Sequence, residues 1–334
     1  MARLTCAALF AGCVFGLSSA AASAATLTGA GSTLVAPIEA EWAAAWGQTT
    51  GNQVNYSAVG SGTGYKDIAG GLVDFGASDA PLSVYSSPQC NSCVQIPWAL
   101  TATGMSFHIN GLNHLHLTGP VIAQIYLGQI TNWSSPAIKA VNPGVKLPNL
   151  PISVFFRSDG SGDTYAFTRY LSDVSGSFNS KVGSSTTVSF PVGSGANGNG
   201  GMATALQGTN GGIAYIAVSY LISNRLPAVA IKNAGGRYVT PNLQAIEAAA
   251  KVVHNVPANN QVTIVNPPKS AKSAYPISTF TYLIVPTNAP QGPLLRSFIG
   301  YALGGGQRFA PALDFAALPA GVLAAARRTL NTIN

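Results

Sequence analysis

Arg157, Ser158, Asp159, Gly160, Ser161, Gly162 and Asp163 stand directly ahead of Tyr165 to Leu171, a run with the character of a helix. A helix N-terminus leaves backbone N–H groups unpaired, and its dipole favours negative charge. A guanidinium can grip two oxygens of one anion, and glycines let the backbone close around it. Residues of these types at this spacing suit a small tetrahedral oxyanion. Two earlier turns share the build: Gly29-Ala30-Gly31-Ser32-Thr33 and Gly60-Ser61-Gly62-Thr63-Gly64. Any one of them also reads as an ordinary turn with a Ser or Thr cap. Three together, with an arginine and few other charges, favour an anion site.

A carboxylate stands among these donors. Asp79 ends a predicted strand, where ligands of open α/β sheets lie. An ionised carboxylate accepts hydrogen bonds and donates none, so it suits only an anion that still bears a proton. Phosphate near neutral pH has a P–OH to offer, and sulfate does not. An unpaired, like-charged contact costs several kcal/mol, enough for a selectivity of about 10³ or more. The alternative role for Asp79 is to cap the turn before Pro81. Asp159 is placed to hold the Arg157 guanidinium in line, as its supporting partner.

The elements that must position these groups alternate in type. Thr26 to Thr28 reads as a strand, and Val35, Ile38, Trp42, Ala45 and Trp46 recur at helical spacing after the first glycine turn. The unit repeats: strand Val54 to Val59, turn, short helix Tyr65 to Gly71, strand Leu72 to Ala77. Further strands are expected at Ile96 to Ile109, Ile152 to Phe156, Ile213 to Ile216 and Phe280 to Val285. Helices are expected at Val121 to Tyr126, Met202 to Gln207, near Leu243 to Lys251, and over about 291–303 and 319–329. Gly193 to Gly201 reads as a loop, and little is assigned elsewhere in 224–275. Alternation of this kind implies an α/β fold.

The chain has 334 residues, 17 Lys and Arg against 10 Asp and Glu, and a formal charge of +7. Residues 1–24 have the form of a signal peptide: Arg3, an apolar run, then the small-x-small site Ala22-Ser23-Ala24. Lipid anchoring at Cys13 is the less favoured reading, because Phe10 stands where Leu is usual. No other stretch reaches the roughly 18 apolar residues of a membrane span. The remaining length, about 310 residues, exceeds most single cores and points to two lobes. The basic residues are scattered, without the clustering and interleaved aromatics of a nucleic-acid surface. Cys90 and Cys93 lie in a Pro/Ser/Asn-rich loop of an exported chain, which favours a loop-stapling disulfide over a redox centre.

Other chemistries find little support. No serine lies in G-x-S-x-G, and no G-K-[ST] is present. Gly193 to Gly198 fits G-x-G-x-x-G but lacks the acidic residue about twenty positions on. His114 and His116 share a strand face without an evident third ligand, so no metal site is assigned, and no cofactor.

The chain resembles the phosphate-binding proteins of high-affinity phosphate ABC importers over nearly its whole mature length. The resemblance runs through Leu27 to Thr33, Val54 to Tyr56, Gly60-Ser61-Gly62, Val73 to Leu82, Ile125 to Gly128, Arg157 to Gly162 and Gly195 to Gly200. It implies a type II periplasmic-binding-protein fold with the ligand in the cleft between the lobes. Two crossovers join them: lobe I from 25–99 plus 276–334, lobe II from 100–275. Phosphate ligands carried over by position are Thr33, the amide of Leu34, Ser61 and Asp79 from lobe I, with Arg157, Ser161, Gly162 and Asp163 from lobe II. Leu34 stands where Phe is usual, and Asp163 where many members have Thr. Asp163 is then either a second acceptor, favouring H2PO4⁻, or a partner that orients Arg157. The resemblance further implies a monomer without catalysis, a membrane permease and its cytoplasmic ATPase as partners, and no role for nucleic acid. A secreted phosphomonoesterase, or a binder of another tetrahedral oxyanion, is the alternative.

Overall fold

The computed structural model describes residues 24–86 and 89–334. The expected signal peptide up to Ser23, Cys13 included, lies outside the described residues.

Among the described residues eleven strands form: β1 (Thr26–Gly31), β2 (Gln53–Ser57), β3 (Phe75–Ser78), β4 (Cys93–His108), β5 (Leu115–Thr118), β6 (Ser153–Arg157), β7 (Ser194–Ala196), β8 (Gly212–Ala217), β9 (Val229–Lys232), β10 (Tyr238–Val239) and β11 (Ser278–Pro286). Eight of them run in the order β2-β1-β3-β11-β4-β8-β6-β7. The axis of this sheet is β4, whose interior residues are almost all buried, as expected of a strand covered on both faces. Its first part, Cys93 to Ala102, pairs antiparallel with β11, while Thr103 to His108 pairs antiparallel with β8. One strand therefore serves two half-sheets. The chain returns beside it, where Thr103 N–H donates to Ile277 O at 3.0 Å and Met105 N–H to the Tyr275 hydroxyl at 3.2 Å. This is the two-lobed type II arrangement, with both chain crossings side by side.

Within each half, parallel strands aim their C-terminal ends at the junction. β1 pairs parallel with β2 and β3, and β6 pairs parallel with β7 and β8. The glycine turns follow β1, β2 and β6, so topology alone gathers them at one place. Each half packs its own aromatic core. Trp42 lies 5.0 Å from Trp98 in the first, and Phe167 stacks on Tyr215 at 4.4 Å in the second, a contact worth about 0.5–1.5 kcal/mol beyond its burial.

Several boundaries differ from the sequence expectation. The helix expected from Tyr65 begins at Ser61, and the one expected from Met202 begins at Gly198. Both recruit glycine-rich turns of low helix propensity, which tertiary contacts override. Residues 72–74 are a bend, and the strand there starts at Phe75. The three-stranded sheet β10-β9-β5 is not among the expected elements; only the strand face read at His114 and His116 touches it, and of these His116 alone lies in β5. The strands of this sheet are of two to four residues, too short for a period to declare itself. The loop cysteines Cys90 and Cys93 are joined in a disulfide.

Residues 259–262 come from the middle of the chain but bond to the first half. Asn260 Nδ2 donates to Gln95 O at 2.9 Å and to Thr329 Oγ1 at 2.7 Å, and the Tyr282 hydroxyl donates to Val262 O at 2.6 Å.

Candidate functional site

Asp79 follows the last residue of β3 and is 2% exposed. Ser32, in the turn after β1, donates its hydroxyl to the Asp79 carboxylate, lying 2.7 Å from each oxygen. Ser32 has no freedom in this, because its oxygen accepts from the amides of Leu34 at 3.0 Å and Val35 at 3.4 Å. The Leu34 amide is thus turned to the Ser32 hydroxyl. Ser61, the first residue of its helix, accepts from the Asp79 amide at 3.3 Å and donates to Asp79 Oδ2 at 3.3 Å.

Across the cleft, β6 delivers Arg157 and the Gly162–Val174 helix presents Ser161 as its N-cap, accepting from Thr164 N–H at 3.3 Å. Asp159 takes the guanidinium edge-on: Arg157 Nε donates to Oδ1 at 2.7 Å and Nη2 to Oδ2. Nη1 donates to Asp163 Oδ2 at 3.0 Å. Five N–H donors sit on a guanidinium, so two remain beyond these three bonds. The core aromatic Tyr215 steadies the base of the turn, accepting from Arg157 N–H at 2.9 Å. Packing in the second half therefore fixes where Arg157 begins.

Asp163 is 1% exposed, and both its oxygens are engaged. Oδ1 accepts from Thr103 Oγ1 at 2.7 Å, and Oδ2 accepts from Arg157 and from Asn199 Nδ2 at 2.8 Å. Asn199 also reaches Thr33 Oγ1, at 2.9 Å from Nδ2. Thr103 and Asn199 are the residues bonded into this region that sequence reasoning did not place, and Ser32, read there with Thr33 as a donor of the first glycine turn, proves to bond Asp79. The only signal of the first two was local: a Thr within a buried strand, an Asn in the Gly195 to Gly200 run.

The two halves are in contact. Gly62 N–H donates to Gly160 O at 2.8 Å, and Gly162 N–H donates to Ser61 Oγ at 3.1 Å. Only glycine permits this approach at 162, since a Cβ there would fall 2.4 Å from the Asp79 Cβ. Thr33, Ser61, Asp79, Arg157, Ser161, Gly162 and Asp163 all lie in this one contact region, with Leu34 beside Ser32.

Three carboxylates, Asp79, Asp159 and Asp163, share the site with one guanidinium, Arg157. Burial pushes the Asp79 carboxyl up to about 7, helped by the nearby Asp163 and opposed by Ser32, Arg157 and Ser61. Burial also raises Asp163, against the pull of Arg157, Thr103 and Asn199. Burial acts upward on Asp159 as well, but the hydrogen bonds and charge of Arg157, with the Gly198 amide, hold it below the usual range. Asp79, its carboxyl held near neutrality, accepts from the hydroxyls of Ser32 and Ser61.

Fold and site together define a two-lobed binding protein with an oxyanion cleft. A family model described as a PBP superfamily domain matches residues 18–305. The phosphate-binding protein PstS of Xylella fastidiosa strain Temecula1 is 34% identical over 300 residues, covering 88% of this chain and 81% of its own length. The protein of that name from Haemophilus influenzae is 33% identical, covering 90% and 91%. The chain belongs to the PBP superfamily, and within it to the family of phosphate-binding proteins PstS. Solved structures bear on the fold alone. A high-affinity periplasmic phosphate-binding protein (PfluDING) bound with phosphate has a TM-score of 0.71 at 24% identity, over 91% of this chain and 93% of that one. An ABC-type phosphate transport receptor from Vibrio cholerae has a TM-score of 0.57 at 18% identity, over 88% and 100%.

Proposed function

We propose that this chain is an exported solute-binding protein that captures inorganic phosphate, as H2PO4⁻ or HPO4²⁻, between its lobes by hinge closure. It then delivers the anion to the membrane permease of an ABC importer driven by a cytoplasmic ATPase. Lobe I comprises 25–99 and 276–334, and lobe II comprises 100–275, with residues 259–262 travelling with lobe I through the bonds to Gln95, Tyr282 and Thr329. The hinge is the pair of crossings at Thr103 and Ile277.

Thr33 and Ser61 from one lobe, with Arg157, Ser161 and Gly162 from the other, supply donors to the anion; the Leu34 amide, expected as a further donor, instead serves the site by holding Ser32 Oγ at 3.0 Å. Asp79 supplies the acceptor for its P–OH. Asp163 is read as an orienting partner of Arg157, from whose Nη1 it accepts at 3.0 Å, with Thr103 and Asn199 holding the carboxylate in that place. Asp159 fixes the guanidinium from the other edge. The protein acts by binding and performs no catalysis. Family membership and the two relatives named PstS support this reading.

The observation that carries it is Asp79: a buried carboxylate set among donors, able to accept a proton-bearing oxygen and unable to satisfy a bare one. Calorimetric titration with phosphate, arsenate and sulfate tests it. One phosphate per chain is expected, with arsenate close behind and sulfate about 10³-fold weaker or more. Sulfate binding as tight as phosphate, or no uptake of phosphate, would refute it.

A further inference from the structure

Thr33 projects from lobe I into the cleft, and its hydroxyl has two acceptor positions and one hydrogen. Both acceptor positions meet Asn199 of lobe II: the backbone N–H at 3.3 Å and Nδ2 at 2.9 Å. Asn199 is 0% exposed, and its orientation is dictated by its partners. Oδ1 accepts from Ala217 N–H at 2.8 Å, so the opposite atom must be the nitrogen. Its second hydrogen goes to Asp163 Oδ2 at 2.8 Å. Every bonding position of this amide but one lone pair of Oδ1 is spoken for.

We propose that Asn199 is a positioning residue for anion capture, which turns the Thr33 hydroxyl into an obligate donor when the lobes meet. With its oxygen filled by the two N–H groups, the hydroxyl can only give its hydrogen, and the cleft is where an acceptor would lie. Asn199 touches Thr33 only across the inter-lobe contact, so closure itself sets the direction of that hydrogen. In the separated state the hydroxyl is free to rotate and to accept. The same amide ties Thr33 to Asp163, and through it to the Arg157 guanidinium. One side chain thereby couples a ligand group of lobe I to the charged pair of lobe II. This inference rests on the reading of Thr33 as a phosphate ligand.

A purely structural role is the competing account, since the bond to Ala217 also anchors the start of the Gly198–Gln207 helix to β8. A double-mutant cycle separates the two. Phosphate affinity is measured by calorimetry for the wild type, Asn199→Ala, Thr33→Val and the double variant, alongside thermal melting without phosphate. Each single change is expected to weaken binding about 10- to 100-fold, the range of one hydrogen bond to a charged group. The double variant is expected to be no weaker than the worse single one, because both remove the same donated hydrogen. If Asn199→Ala does not fold, Asn199→Ser is used with the same expectation. Unchanged affinity in the folded Asn199 variant, or losses that multiply in the double variant, would overturn the proposal. A wild type that takes up no phosphate would instead refute the functional reading on which it rests.

Discussion

Replacing Asp79 with Asn should convert the site from one that tests for a proton into one that does not. Ser32 is committed as a donor, because the Leu34 and Val35 amides fill its oxygen. In Asp79→Asn the new amide oxygen takes the Ser32 hydrogen, and the amide N–H turns to the anion. Phosphate loses one charge-assisted bond to its P–OH, about 1.5–3 kcal/mol, or roughly 10- to 150-fold in affinity. Sulfate gains a donor and sheds a like-charged neighbour, so its affinity should rise by about tenfold or more. At pH 8.5, where Asp79 is ionised, the phosphate-over-sulfate ratio should fall by about two to four orders of magnitude. The pH profile adds an internal control. Burial holds the Asp79 carboxyl at about 7, so below that value it carries a hydrogen and can donate. Wild-type sulfate affinity should therefore fall about tenfold for each pH unit above 7, while that of Asp79→Asn should stay flat. Calorimetry with both anions at pH 6 and pH 8.5 reads every arm. An unchanged selectivity ratio in the variant would refute the reasoning.

Three further outcomes are expected. Gly162→Ala should fold normally but bind phosphate at least about 100-fold more weakly, since its Cβ would lie 2.4 Å from that of Asp79 and hold the lobes apart; calorimetry with small-angle scattering checks both parts. Binding should change little with ionic strength, because Asp159 and Asp163 already offset Arg157 inside a buried site; titration at low and high salt tests this. Glu39→Gln should stabilise the protein increasingly with pH. Glu39 is buried with an unpartnered oxygen, and burial raises its carboxyl from 4.5 to about 8. A raised carboxyl means the folded state holds the proton longer than the unfolded one, so stability falls as pH rises through this window. The gain should be absent near pH 4 and on the order of a few kcal/mol at pH 9, read from melting curves.

What was legible in the sequence follows from how local each signal is. The βα units show because helical spacing in Val35 to Trp46 and the buried run of β4 are contiguous patterns. The glycine turns show because they pair unusual backbone with polar side chains. Asp79 and Arg157 declare themselves as charges in a chain that has few. Asn199 stayed hidden because its meaning lies in Thr33, 166 residues away, and Asp163, 36 away. Thr103 is likewise 60 residues from the carboxylate it serves, and nothing in a strand-like run marks one threonine as functional. The helix starts at Ser61 and Gly198 were misplaced for a related reason. Glycine disfavours helix locally, while tertiary bonds decide in its favour, from Gly62 N–H to Gly160 O at 2.8 Å and from Gly198 N–H to Asp159 Oδ1 at 3.0 Å.

The most direct test is a crystal structure with phosphate bound. One anion is expected between the lobes, its oxygens within hydrogen-bond distance of Thr33, Ser61, Arg157 and the amide of Gly162, with one oxygen against the Asp79 carboxylate. Phosphate held elsewhere on the chain, or in the cleft without touching Asp79, would contradict the account.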